Sequence, residues 1–221
     1  VVQKRADKTV SNTPAAVLLS IMTFIQILGV FCVGYALGNF TFAYIVGKLA
    51  GGFDIREKGS GNAGATNVMR TLGWGYGALV FVLDALKGAA AAAAGYWLGG
   101  DIGLAAAAVG VVLGHDFPAV LNFRGGKGIA ATTGILLSLL PLPTLAGILV
   151  FILVVLGTRM VSLGSLVFVS GMAAYALLSQ QPVTLIVIAV AAAVFAILRH
   201  RENIRRILDG VENRISFQKH S

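Results

Sequence analysis

Three segments of this chain gather residue types that bind anions. The first reads Gly59-Ser60-Gly61-Asn62-Ala63-Gly64-Ala65-Thr66-Asn67-Val68-Met69-Arg70. Its three glycines permit positive φ and close approach of a ligand to the backbone. Ser60, Asn62, Thr66 and Asn67 add neutral donors, and Arg70 adds a planar cationic fork. Amides in such a loop form an anion nest; a flexible linker, the plain alternative, rarely interleaves Asn, Thr and Arg so densely. The second segment reads Gly114-His115-Asp116-Phe117-Pro118, then Phe123-Arg124-Gly125-Gly126-Lys127-Gly128, ending where an apolar helix is predicted to begin. A glycine loop feeding a helix N-terminus offers free amides and the positive dipole end to an anion, with Lys127 at its mouth. It is not a nucleotide P-loop, because Gly128 takes the Ser/Thr position and Leu121 the place of the first glycine. The third segment reads His200-Arg201-Glu202-Asn203-Ile204-Arg205-Arg206-Ile207-Leu208-Asp209-Gly210-Val211-Glu212. His200 and Asn203 share a helical face, and Arg205 and Arg206 suit lipid headgroups. A basic amphipathic tail explains the arginines but not His200, Asn203 and Glu212.

A fourth feature is embedded in apolar sequence. Asp84 and Lys87 stand three apart and are expected to neutralise each other, as a structural ion pair or in support of a site. Other chemistries fit poorly. Three histidines and one cysteine, with no paired carboxylates, give no familiar metal set. Ser60 lies in Gly-Ser-Gly, not in a nucleophile elbow. A His-x4-Asp acyltransferase pattern fails at His115 and His200, where Val120 and Arg205 stand in the Asp position. The spaced aspartates of alcohol phosphatidyltransferases are missing too. What remains is a cationic, amide-rich site without a strong base or nucleophile. Such a site suits a phosphate-bearing substrate that arrives activated, the protein supplying position and charge stabilisation.

The elements that must hold these segments are apolar helices. Of 221 residues, 57% are hydrophobic and 12% charged, which excludes a soluble domain, a disordered tail and a disulfide scaffold. Runs 9–47, 128–158 and 160–198 contain no Asp, Glu, Lys or Arg. An all-α polytopic membrane protein is predicted, with about seven helices near 22–46, 76–99, 102–119, 128–141, 143–157, 161–178 and 182–198. Breaks are expected at Gly99-Gly100-Asp101, Pro141-Leu142-Pro143, Gly157-Thr158-Arg159 and Gln180-Gln181-Pro182. Some helices are short enough to be re-entrant, which would leave five crossings with the same orientation. Residues 1–13 read as a polar tail, 14–200 as the membrane domain with loops 51–73 and 114–128, and 199–221 as a C-terminal segment. The segments between helices that carry Lys and Arg fall on one side, while the opposite turns hold only Asp101. The positive-inside rule makes the basic side cytoplasmic, with the N-terminus outside and the C-terminus inside; Lys4, Arg5 and Lys8 run against it. The net charge of +8 is therefore read as topology and anion binding, not nucleic-acid binding.

Taken together, the three segments resemble the signature motifs of the bacterial acyl-phosphate:glycerol-3-phosphate acyltransferase family, in order, spacing and sidedness, over about 34–214. The resemblance implies a seven-helix enzyme of the bacterial plasma membrane with its site on the cytoplasmic face. It implies transfer of an acyl group from long-chain acyl phosphate to the 1-hydroxyl of glycerol 3-phosphate. The products would be lysophosphatidic acid and inorganic phosphate, the first acylation of phospholipid synthesis, with neither cofactor nor metal. It also implies roles. Ser60, Arg70 and Lys127 would hold phosphate; Gly125, Gly126 and Gly128 would cradle the acyl phosphate; His200 and Asn203 would orient glycerol 3-phosphate or support the loops; Glu212 would anchor the last motif. Asn62, Thr66, Asn67 and His115 count as substrate contacts, and Asp84 and Lys87 as supports. The proton acceptor stays open between a substrate phosphate, His200 and His115. The acyl chain would lie between small-residue helices containing 89–94 and 105–108. The rivals are an anion or lipid-phosphate transporter and a structural assembly protein.

Overall fold

The computed structural model describes residues 14–215; the predicted polar tail 1–13 and the final residues 216–221 lie outside them. The described chain is helical: α1 (Pro14–Asn39), α2 (Phe42–Gly51), α3 (Ala65–Leu72), α4 (Trp74–Asp116), α5 (Ile129–Leu139), α6 (Pro141–Thr158), α7 (Val161–Leu178), α8 (Val183–Arg199) and α9 (Arg201–Leu208). Two 3-10 turns, Ile55–Glu57 and Ala119–Leu121, interrupt the long loops.

The predicted break at Gly99-Gly100 is present. Gly99 (φ −153°, ψ 20°) and Gly100 (φ 58°, ψ −146°) fold α4 back on itself, so that Gly95 lies directly against Gly103. Other expectations shift. The helix expected over 22–46 starts at Pro14 and is broken at Phe40-Thr41, giving α1 and α2. The helix expected over 102–119 stops at Asp116. The break expected at Pro141-Leu142-Pro143 falls at Leu140 (φ −134°, ψ 65°), because Pro141, with no N–H to satisfy, is accepted in the first turn of α6.

Four helical stretches are long and apolar enough to cross a bilayer: Pro14–Gly51, Trp74–Leu121, Pro141–Thr158 and Val161–Leu178. Val183–Arg199 with Arg201–Leu208 makes a fifth, bent by 62°. The eleven residues of α5 rise only about 16 Å, too little for a core of about 30 Å. Seven full crossings therefore do not follow from helix length.

Small residues set the helix spacing. A Cβ on Gly34 would stand 2.5 Å from the Ala107 carbonyl oxygen, and one on Gly114 would stand 2.2 Å from that of Tyr35. This locks α1 onto the second limb of α4. In the same way Gly134 of α5 rides on the Ala85 carbonyl, 1.8 Å from an added Cβ. One core joins Leu136, Phe168, Met172 and Ala189 of α5, α7 and α8, and another joins Ala91, Val111, Ile135 and Ile188. A third, Ala43, Val46, Ile55, Ala63, Val68 and Val80, seats the first polar loop on α2 and α4, so that loop is packed and not a linker.

Candidate active site

All three polar segments meet at one end of the helices, around a cleft of about 850 Å³. Backbone and side-chain bonds tie them together. Arg56 donates to the Leu121 carbonyl at 2.7 Å, Arg70 to that of Asn213 at 3.2 Å, and Ile215 N–H to that of Arg159 at 2.9 Å.

The first segment is built around Asn67, which is 1% exposed. Its amide donates to the Ile55 and Lys58 carbonyls at 2.9 and 3.0 Å, and its Oδ1 accepts from Ser60 N–H at 2.8 Å. Gly59 (φ 58°) passes so close that a Cβ would sit 2.3 Å from that oxygen. Asn67, expected to touch substrate, lines the cleft and also spends its amide holding the loop. The loop turns Ser60, Asn62, Thr66 and Arg70 toward the cleft.

The second segment folds back onto the end of α4. Gly126 N–H donates to the His115 carbonyl at 3.0 Å, and Gly125 N–H to that of Asp116 at 3.2 Å. Gly125, Lys127 and Gly128 line the cleft; Gly126 lies behind them, its Cα against the His115 ring. Gly128 caps α5 with φ 70°, and the first amides of α5 have no intrahelical acceptor. This is the geometry the sequence predicts, a glycine loop feeding a helix N-terminus at the cleft.

Lys127 reaches across to the third segment, where its ammonium donates to Asn203 Oδ1. The Asn203 amide donates in turn to Glu212 Oε1 at 2.6 Å. Glu212 also accepts from Ser162 Oγ and Arg206 Nε, each at 2.8 Å. Burial pushes the Lys127 ammonium down to about 8, against the pull of Glu212. Burial works to raise the Glu212 carboxyl, but its bonds from Asn203, Ser162 and Arg206 outweigh this and hold it below the usual range. Arg206, read from the sequence as a lipid contact, is thus a partner of the site. Arg205 stays outside, 3.8 Å from Asp209.

His200 marks the bend between α8 and α9. Its Nδ1 lies 2.7 Å from the Ala196 carbonyl. A carbonyl only accepts, so Nδ1 carries the proton and Nε2 keeps its lone pair. His200 lines the cleft beside Asn203.

Asp84 and Lys87 form the expected pair at 2.7 Å, and His115 joins it with Nδ1 2.9 Å from Lys87 Nζ. Asp84 and His115 line the cleft floor, whereas Lys87 stands behind them. Sequence reasoning missed Arg199, which donates to the Gly126 carbonyl at 3.1 and 2.8 Å and lies over the Phe117 ring. It also missed Ser162 and the fully buried Asp116, whose carboxylate has no hydrogen-bond partner among the described residues. Ser162 carries no signal in an apolar run, but Arg199 and Asp116 stand beside histidines and were open to notice. No group of three metal-ligating side chains occurs among the described residues.

A bundle of apolar helices with a terminal cleft rich in cations and glycine amides has the make-up of a membrane-type enzyme. The comparisons narrow the class. A family profile described as Glycerol-3-phosphate acyltransferase matches residues 28–210. A glycerol-3-phosphate acyltransferase of Clostridioides difficile is 46% identical over 193 residues, 85% of this chain and 94% of that protein. One from Halalkalibacterium halodurans is 44% identical over 192 residues, 84% of this chain and 93% of its own. The crystal structure of PlsY (YgiH), an integral membrane glycerol 3-phosphate acyltransferase, in its glycerol 3-phosphate form superposes with a TM-score of 0.81 at 38% identity, covering 87% of this chain and 99% of that one. Its lysophosphatidic acid form gives 0.78 at 36%, covering 86% and 95%. The chain belongs to the glycerol-3-phosphate acyltransferase family and is an acyltransferase.

Proposed function

We propose that this enzyme moves the acyl group of a long-chain acyl phosphate to the 1-hydroxyl of glycerol 3-phosphate, releasing lysophosphatidic acid and inorganic phosphate. One observation carries the reading: Arg70 of the first segment, Lys127 of the second and Arg199, just ahead of the third, converge with the glycine loop on a single cleft. Both substrates carry phosphate at the reacting end, so the site needs cations and amides more than a nucleophile. The glycine loop, Ser60 and Lys127 hold the acyl phosphate. Arg70 holds the phosphate of glycerol 3-phosphate, with Asn62 and Thr66 as neutral donors nearby. The His200 Nε2 lone pair accepts the hydrogen bond of the 1-hydroxyl and aims its oxygen at the acyl carbon. The C–O ester bond forms, the acyl–phosphate bond breaks, and the departing phosphate takes the proton. Membrane lipid surrounds the helices and accepts the product.

In a bacterial plasma membrane the cleft faces the cytoplasm. Seven crossings suit this best: α1, both limbs of α4, and α5 to α8, with α5 short. The support is the shared end of the basic loops, which carry Arg56, Arg70, Arg124, Lys127 and Arg159. Incubating purified protein with palmitoyl phosphate and glycerol 3-phosphate, with acyl-CoA in a parallel reaction, tests the donor. Phosphate release with lysophosphatidic acid from the first mixture alone is expected; product from acyl-CoA would overturn the assignment. A transporter would instead carry labelled glycerol phosphate into vesicles without acyl product.

A further inference from the structure

The cluster behind the glycine loop has more structure than an ion pair needs. Lys87 Nζ donates to the Phe40 carbonyl at 2.7 Å and the Gly38 carbonyl at 3.3 Å, and lies 2.9 Å from His115 Nδ1. Asp84 Oδ1, 2.7 Å away, neutralises the ammonium. An ammonium has three protons and no acceptor capacity. Facing it, His115 Nδ1 must offer a lone pair. Asp84 Oδ1 stands 3.5 Å from the same nitrogen, beyond a good hydrogen bond, and so does not compete for a proton there. The ring proton is left on Nε2. That edge abuts Gly126, where an added Cβ would fall 2.0 Å from Nε2, and the ring forms part of the cleft wall.

We propose that Asp84 and Lys87 are positioning residues that fix His115 as its Nε2–H tautomer, and that this N–H is a donor to the phosphate oxygens held at the glycine loop. The carbonyls that complete the Lys87 shell come from the end of α1. Because that helix stops at Asn39, its last carbonyls have no intrahelical donor. The break at Phe40-Thr41 and the buried lysine therefore satisfy each other. His115 is a neutral donor, which strengthens in a water-poor wall without adding charge there.

The kinetic part of this inference rests on the acyl-transfer reading; the tautomer and its response to phosphate do not. Full-length protein labelled with 15N-histidine and studied by NMR in detergent reads the tautomer directly, His115 being assigned by difference from His115→Gln. Near neutral pH, Nδ1 is expected to be unprotonated and Nε2 protonated. Lys87→Met is expected to give a mixture. Adding inorganic phosphate is expected to move the Nε2–H signal of the wild type. A protonated Nδ1, or an Nε2–H signal indifferent to phosphate, overturns the proposal in the wild-type protein, with no variant needed beyond the one that assigns the signal. In the transfer assay His115→Phe is expected to lose about tenfold or more in kcat/KM for palmitoyl phosphate. His115→Gln, which keeps an N–H, is expected to recover most of that loss. Equal loss in both overturns the donor role. If the wild type itself does not transfer acyl groups, the functional reading falls while the NMR result stands.

Discussion

Lys127 gives the sharpest test of the site, because burial sets its ammonium at about 8, well below the ordinary lysine value of 10.5. The free enzyme then carries this cation near neutral pH and loses it within the alkaline range where proteins stay folded. With a titration at about 8, the charged fraction falls from about 90% at pH 7 to about 10% at pH 9, so kcat/KM for the donor falls about tenfold. The substrates do not blur this limb, since a phosphate's second ionisation lies near ~6 and is complete beforehand. The groups facing Lys127 are Glu212 and Glu202, which favour its charge, and Arg206 and Arg199, which oppose it. The assay is initial-rate phosphate release at low palmitoyl phosphate, with a blank for spontaneous hydrolysis. The control is Lys127→Arg, which stays charged throughout. It is expected to be slower, because a fork replaces a point charge, but its profile is expected to be flat across the same range. A flat wild-type profile, or the same fall in Lys127→Arg, refutes the assignment of Lys127 as the phosphate-holding cation.

Four further outcomes are expected. Ser60→Ala and Arg70→Ala lower transfer severely while circular dichroism stays native, and Arg70→Lys is also poor because it lacks the bidentate fork. Gly126→Ala, which pushes a methyl into the His115 ring, costs about a hundredfold or more in donor kcat/KM, against a small change in KM for glycerol 3-phosphate. Asn67→Ala removes three hydrogen bonds and costs about 2–3 kcal/mol in local stability, read as faster amide exchange over 55–60. Glu212→Gln lowers Tm at neutral pH. Since folding holds the Glu212 carboxyl below its ordinary 4.5, its stabilisation is present above that value and lost as pH falls through the depressed folded one, so the Tm gap between variant and wild type closes in acid.

Local chemistry was readable in the sequence; long-range pairing was not. Gly99-Gly100 announced its turn, and Asp84 with Lys87 announced their pair, because each signal lies within a few residues. The break at Phe40-Thr41 has no Gly or Pro of its own, and Gly38 before it is still helical. It depends on Lys87, 47 residues downstream, taking up the freed carbonyl of Phe40. Arg206 looked like a lipid contact because its true partner, Glu212, returns to it only through the turn at Gly210 (φ 73°). Asn67 reads as a cleft residue from its type, but its second task, shaping the loop from a buried position, shows only in the fold.

The two cleft histidines show what tertiary structure adds to composition. In sequence they are equivalent, each a titratable ring beside a helix end. In the fold they have opposite polarity. Lys87 stands against Nδ1 of His115 and forces that nitrogen to accept, so its Nε2 edge, at the glycine loop, donates. The Ala196 carbonyl stands against Nδ1 of His200 and forces that nitrogen to donate, so its free edge accepts. A donor edge suits phosphate oxygens and an acceptor edge suits a hydroxyl, the two groups that acyl transfer must bring together. Neither ring needs to change protonation state during the reaction. A site built in this way can leave proton removal to the departing phosphate, which explains how such a cleft works without a strong base.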